Sequence, residues 1–466
     1  MISMKTMTRR ALAVLALALL TAQAALAAIP IQQWSLPNGA RVWLVESHGI
    51  PMVDVQVDFD AGARRDPAGK SGLAGVTARM TSKGIAAGGN AMAPAISVGA
   101  NEPALDENQV SEAWADLGGS FGGGASADRM SFTMRSLTYP DLLPKAVQLA
   151  ARQLGEPSFP EAVWLRDRER MSASIREANT RPATVAGRAF AAAVYGSHPY
   201  GFETTEASLT QIGVGDMRGF YRAHIEPCRA RVSMVGDVTR AQAETLVNAL
   251  LARLPQRDGA LCDALPPVAD VPPLTQARVE AIPFQSAQAH VLIGQPGYKR
   301  SDPDFFPLTV GNYILGGGGF VSRLTSEVRE KRGLSYSVYS YFAPGLHAGA
   351  FTVGMQTRPD QTAQAVTVSR AVLERFVTDG PTESELKAAK DNLVGGFALR
   401  IDSNRKLLDN VSNIAWNNLP LDYLDTWTRQ VERVTLADVK DAFGRKLQPG
   451  RMVVVTVGAT DPAVRQ

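Results

Sequence analysis

The chain has 466 residues, 45% hydrophobic and 20% charged, too long for one ordinary core, so two or more domains are expected. Its formal net charge is +3, and Lys5, Arg9 and Arg10 fall in the first 27 residues without an acid, which leaves the remainder neutral. A neutral chain gives no electrostatic case for a nucleic-acid partner or an anionic membrane surface.

The opening "MKTMTRRALAVLALALLTAQAALA" has a basic start, an apolar run from Ala11 to Leu20 and small residues at Ala25 and Ala27. That is the pattern of a secretory signal peptide (1–28), cleaved near Ala27 or Ala28, whose apolar run is too short to span a bilayer. "TRRAL" leaves both the general and the twin-arginine export routes open. No later apolar run is long enough for a membrane span. An exported protein without a span, most simply periplasmic, is expected.

The first half (29–253) opens with strand patterns, "ARVWLVES" and "MVDVQVDFDAG". "GLAGVTARM", Gly72 to Met80, reads as a helix. Residues 86–108 are rich in Ala, Gly and Pro and read as a mobile insertion. Long helices are predicted from Glu161 to Asn179, Arg181 to Tyr195, Asp360 to Thr378 and Glu383 to Ala398, the last with a capping box of Thr382 and Glu385. Residues 254–276, "LPQRDGALCDALPPVADVPPLTQ", are Pro-rich and read as an extended linker to a second half, 277–466. Cys228 sits at a strand start and Cys262 in the linker. A disulfide and two free thiols stand equally open, and the spacing does not suit a structural zinc site.

The halves echo each other. "DMRGFYRAHIEPCRARVSMVGDVT" parallels "DVKDAFGRKLQPGRMVVVTVGATD", with Pro227 and Pro449, Arg229 and Arg451, and Gly236 and Gly458 each 222 residues apart. A helix, a Pro turn and a strand in one register indicate duplicated domains. Each half reads as an α+β layer.

Several motifs fail. "DPAGKS" lacks the earlier glycine of a phosphate-binding loop, because position 64 is Arg64. "GGGG", Gly316 to Gly319, has no Lys-Ser/Thr after it and suits close backbone packing or a hinge. Ser322 has no nucleophile-elbow context. The five histidines, His48, His198, His224, His290 and His347, show no i,i+4 pair, and His198 in "SHPYG" suits a structural turn.

"DAGARRDPAGKSGLAGVTARMTSKG" resembles the strand-to-helix segment of the pitrilysin/insulinase (inverzincin) zinc peptidases, where HxxEH follows a "GLA" lead-in. Two His at i and i+4 share a helix face and hold zinc, and the Glu polarises its water. The corresponding residues here are Gly75, Ala78 and Arg79. The remaining family ligand, a Glu on a later helix, falls on Ser174 in "DRERMSASIREANTRP", with Ile175 and Pro182 fixing the register. "GGASADRMSFTMRSL" (Gly123 to Leu137) fits the edge strand that bonds an extended peptide in that family. "NYILGGGGFVSRLTSEVREKRGLSYSVYSYF" fits its second domain, where Arg329 and Tyr336 match a pair that donates to the scissile carbonyl.

The resemblance covers nearly all of the chain after the signal. It implies an α+β fold of two homologous α/β-sandwich domains arranged as a clamshell. It also implies a noncatalytic subunit of a heterodimeric periplasmic zinc metallopeptidase, with no metal of its own. A homologous zinc-bearing subunit would supply HxxEH and the zinc, this chain would supply Arg329 and Tyr336, and the substrate would be a peptide. The alternative is an inert scaffold or a peptide-binding protein, homodimeric or within a larger complex.

Overall fold

A computed structural model describes residues 29–88, 102–255 and 262–460. The signal segment 1–28 lies outside the described residues. Val-rich runs build two sheets. The first uses β1 (Gln32–Ser35), β2 (Arg41–Glu46), β3 (Met52–Phe59), β6 (Ser120–Ala125), β7 (Met130–Leu137) and β8 (Arg231–Gly236), in the order β1-β2-β8-β3-β7-β6. Between β3 and β6 lies a small ribbon of β4 (Gly84–Ile85) and β5 (Leu105–Asp106). The second sheet uses β9 (Arg278–Ile282), β10 (Ala289–Pro296), β11 (Ser335–Phe342), β12 (Ala350–Thr357) and β13 (Val453–Val457), in the order β11-β12-β10-β13-β9.

The two sheets share one topology. β8 runs parallel to β2 and antiparallel to β3, and β13 runs parallel to β9 and antiparallel to β10. A Pro turn enters β8 at Pro227–Arg229, and its counterpart enters β13 at Pro449–Arg451. By this correspondence the free edges β6 and β11 are equivalent strands. The fold is α+β and built from two like halves.

Four helices matter below: α1 (Leu73–Met80), α2 (Glu161–Ala178), α3 (Pro182–Tyr195) and α4 (Asn404–Asn417). α3 belongs to the first half by sequence, yet Ala186, Phe190, Ala193 and Val194 pack on Val453, Val455 and Val457 of the second sheet. α4 reciprocates: Leu408, Val411, Ile414 and Ala415 cover Trp43, Val45 and Val235 of the first sheet. Each half therefore completes the back of the other. Truncating Phe190, which is buried, removes apolar contact from the opposite half at a cost of about 3–5 kcal/mol.

The ends of the 86–108 insertion are pinned rather than loose. Gly84 and Ile85 pair with Asp106 and Leu105, Gly88 N–H donates to the Glu102 carbonyl (2.9 Å), and Asp106 caps the helix Glu107–Asp116. Residues 89–101 lie outside the described residues. Cys228 and Cys262 form a disulfide, with Cα atoms 5.7 Å apart, that ties the linker to the start of β8. Thr382 and Glu385 cap their helix reciprocally. Among the described residues no helix is long and apolar enough to cross a membrane.

Candidate functional site

The lead-in to α1 is held by a distant side chain. Asp66 accepts from the backbone N–H of Gly72 (2.7 Å) and of Ala74 (2.8 Å), which satisfies two of the otherwise orphaned amides at the helix start. Burial pushes the Asp66 carboxyl up to about 6, against the pull of those amides. Gly72 takes φ +103°, a conformation that favours glycine.

From there α1 presents two different surfaces. Leu73, Ala74, Val76, Thr77, Ala78 and Met80 are buried, whereas Arg79 is exposed. A Cβ on Gly75 would meet nothing within 4 Å, so that position opens on free space. Ala78 is 0% exposed, and an ionised carboxylate there would have to be taken out of water. Ser174 lies on the exposed side of α2. None of Gly75, Ala78, Arg79 and Ser174 offers an imidazole or carboxylate. Among the described residues, one group of three His, Cys, Asp or Glu is close enough to share an ion: Glu226, Cys228 and Cys262. The two sulfurs of that group are bonded to each other.

Beside α1 runs β6. A side chain on Gly123 would strike the Ala78 carbonyl (2.8 Å) and the Phe132 ring, so only glycine lets this strand approach the helix so closely. Gly122 and Gly124 face open space. The edge of the first sheet is thus Ser120–Ala125. The expectation that Gly123 to Leu137 forms a single edge strand is corrected: those residues turn at 126–129, and β7 is an inner strand between β3 and β6.

In the second half, Gly316 packs against β11, where a Cβ would meet the Ser340 nitrogen at 2.5 Å. This is the close backbone packing expected of "GGGG". The chain then makes a π-helical turn at Thr325–Glu330, a geometry often found at functional positions. The turn delivers Arg329. Its neighbours Lys331 and Arg332 are neutralised by Glu327 (2.6 and 2.7 Å). Arg329 has no carboxylate within 4 Å among the described residues and instead lies between two rings, 4.6 Å from the centre of Phe320 and 4.7 Å from that of Tyr336. Tyr336 is 80% exposed and Phe320 69%. The structure therefore brings Arg329 and Tyr336 into contact, and sequence reasoning missed Phe320 as the third member.

Sequence reasoning also missed Tyr339 and Tyr341. They alternate with buried Val338 and Ser340 along β11 and stack at 6.0 Å. The "SYSVYSYF" alternation was the available signal. The Tyr339 ring lies over Gly354 of β12, where a Cβ would meet it at 2.5 Å.

The two edge hairpins meet at their turns. Asp128, after β6, accepts from the Tyr200 hydroxyl (2.6 Å) and from the backbone N–H of Leu346 (2.9 Å), in the turn after β11. Tyr200 in turn accepts from the His347 N–H (3.2 Å). His198 has the structural role expected of it: Nδ1 accepts from the Tyr200 N–H (3.1 Å) and Nε2 faces the Ala269 carbonyl (3.0 Å).

These features can be set beside known proteins. Residues 211–393 match the family model described as the peptidase M16 inactive domain. The crystal structure of a peptidase M16 inactive domain from Pseudomonas fluorescens is 32% identical and superposes with a TM-score of 0.83, over 92% of this chain and 98% of that one.

The chain belongs to the peptidase M16 family.

Two further relatives differ in what their names say. An uncharacterized zinc protease of Streptomyces coelicolor is 32% identical over 55% of this chain and 57% of its own length. A non-peptidase homolog of Helicobacter pylori is 28% identical over 51% of this chain and 54% of its own length. The match thus spans little more than half of these curated relatives. Within the M16 family this chain is a member whose first half lacks the HxxEH residues.

Proposed function

We propose that this chain is the noncatalytic subunit of an exported, periplasmic, heterodimeric M16 zinc peptidase. A homologous partner supplies HxxEH, the last Glu and the zinc, and this chain binds no catalytic metal. Arg329 and Tyr336 reach the scissile carbonyl held at the partner's metal and donate to its oxygen as charge develops there. A fixed guanidinium and a phenol both suit that task, since each donates without competing for the metal. The peptide lies extended within a closed chamber, in part by strand addition to a free sheet edge.

The observation that carries this reading is the state of Arg329. Among the described residues it has no carboxylate partner, it is steadied by Phe320 and Tyr336, and it stands beside the free edge of the second sheet. The two rings hold the guanidinium in place, at about 0.5–1 kcal/mol each, without neutralising it, so its charge stays available to a carbonyl oxygen. The test is co-purification from the native cell with zinc measured per complex. One zinc per pair, contributed by a second polypeptide, supports the proposal. Stoichiometric, tightly held metal with metal-dependent cleavage by this chain alone overturns it.

The inert scaffold is the rival reading, since the stack of Phe320, Arg329 and Tyr336 also holds as a surface contact with no substrate. It requires Arg329→Ala and Tyr336→Phe to leave the cleavage rate of any assembled complex unchanged.

A further inference from the structure

A second site lies where β2 and β8 begin, bordered on one side by Leu346 of the turn after β11. A cavity of about 700 Å³ opens there between the first sheet, the linker beside the Cys228–Cys262 disulfide and the end of α4. Four arginines line it: Arg41, Arg65, Arg229 and Arg231. Two are neutralised. Arg65 grips both oxygens of Asp60 (2.7 and 2.6 Å), and Arg229 pairs with Glu226 (3.0 Å).

Arg41 and Arg231 differ. They are direct register partners on the parallel strands β2 and β8. Arg41 reaches the side-chain oxygen of Asn418 (3.4 Å), and Arg231 donates to the carbonyls of Ala415 (3.0 Å) and Trp416 at the end of α4. Neither has a carboxylate within 4 Å among the described residues. Two acids, Asp60 and Asp263, also line the cavity; Asp60 is committed to Arg64 and Arg65, and Asp58 behind it to Arg129 (2.9 Å). Burial, and after it the charge of Arg41, pulls Arg231 down to about 10. Like charges side by side on adjacent strands are destabilising, and partly buried guanidinium groups without a counter-charge are more so. The carbonyls at the end of α4 and the rings of Trp43 and Trp416 offset part of this cost, and an anion from outside would offset the rest.

We propose that this cavity binds a small anionic ligand whose carboxylate or phosphate group bridges Arg41 and Arg231. Two guanidinium forks offer bidentate donors of the geometry those groups accept, and Trp416, stacked 5.0 Å from Arg231, backs the site. The cavity is larger than one oxyanion, so the ligand carries further atoms toward the linker. The site shares no residue with Arg329 and Tyr336, and either proposal stands if the other fails.

The experiment follows thermal unfolding of the full chain in inorganic phosphate or in succinate, with ionic strength held constant by sodium chloride. The midpoint rises with ligand concentration in the mass-action manner of a native-state ligand. Arg41→Gln weakens the response about tenfold or more, yet without ligand is at least as stable as the wild type, because the like-charge pressure has gone. A response to phosphate alone supports the site and assigns it to phosphoryl compounds, and a response to both extends it to carboxylates. No rise with either probe overturns the proposal. So does a rise that Arg41→Gln keeps in full, which marks a general salt effect on folding. Arg41→Lys keeps the charge and loses the fork, so it serves if the glutamine variant does not fold, and is expected to weaken the response without abolishing it.

Discussion

The edge strands β6 and β11 occupy the same place in two copies of one fold and have become opposites. β6 is "SFGGGA", almost without side chains, laid against the helix that carries Gly75, Ala78 and Arg79. β11 is "SYSVYSYF", with Tyr336, Tyr339 and Tyr341 exposed and Arg329 stacked beside it. One edge offers backbone and the other offers side chains. Under the proposed function a duplicated scaffold divides two tasks, bonding an extended main chain and gripping particular groups, and the ladders differ too: β6 pairs with β7 without a break, whereas the β11–β12 register shifts between Ser335 and Val338.

The largest test of that contrast is kinetic. In the complex with a zinc-bearing partner, Arg329→Ala or Tyr336→Phe is expected to lower turnover about a hundredfold to a thousandfold, the usual effect of losing one oxyanion donor. Zinc content stays unchanged, and so does the stability of this chain, since Tyr336 is 80% exposed. Peptide cleavage at the wild-type rate in both variants refutes the assigned roles.

Stability gives the second contrast, this time within β6. Gly123→Val drives a side chain into the Ala78 carbonyl and the Phe132 ring, and should cost about 1–3 kcal/mol. Gly122→Val points into open space and should be near neutral, or slightly favourable from strand propensity. Chemical denaturation of both variants checks this. Equal losses would mean that β6 does not lie against α1 as described.

A smaller effect is expected at the tyrosines. If β11 grips peptide side chains, Tyr341→Ala should weaken peptide binding about twofold to tenfold, the range for one aromatic contact. Gly124→Ala on the bare edge should leave affinity unchanged. Fluorescence titration of an extended peptide separates the two, and the reverse pattern would make β6 the side-chain reader.

Much of this was legible in the sequence, and the gaps have physical causes. The Pro, Arg and Val-Gly register exposed the duplication, because a turn and a buried strand each demand particular residues. The family resemblance of the lead-in to α1 pointed to Gly75, Ala78 and Arg79, Ile175 and Pro182 pointed to Ser174, and the frame around "SEVREKRGLSY" pointed to Arg329 and Tyr336, which the structure brings into contact. The exchange of α3 and α4 was not legible, since an apolar stripe does not record which sheet it covers. β6 was misplaced because three successive glycines carry no strand propensity; its conformation comes from pairing with β7 and from the space that Gly123 leaves. The disulfide depends on where the linker folds back, which spacing alone does not encode.

The smallest expected effect concerns the junction where the two edges meet. His198 is buried, with its Nδ1 already accepting the Tyr200 N–H and its ring 5.1 Å from that of His347. Burial, and then the neighbouring His347, lowers its pKa. The charged and titratable groups around it are Asp128, which holds Tyr200, and Asp270, which pairs with His347 (3.0 Å) and Lys299 (2.8 Å). A histidine depressed in the folded state binds fewer protons than in the unfolded chain, so its contribution is present above the ordinary value of about 6.5 and is lost as pH falls below it. Protonation at Nδ1 would also place a proton where the amide now donates, loosening the turn that joins the β6 and β11 hairpins. The melting temperature should therefore fall between pH 7 and pH 5. His198→Asn keeps an acceptor near the Tyr200 amide but cannot titrate, so it should flatten that fall. An unchanged slope in this variant would place the acid sensitivity elsewhere.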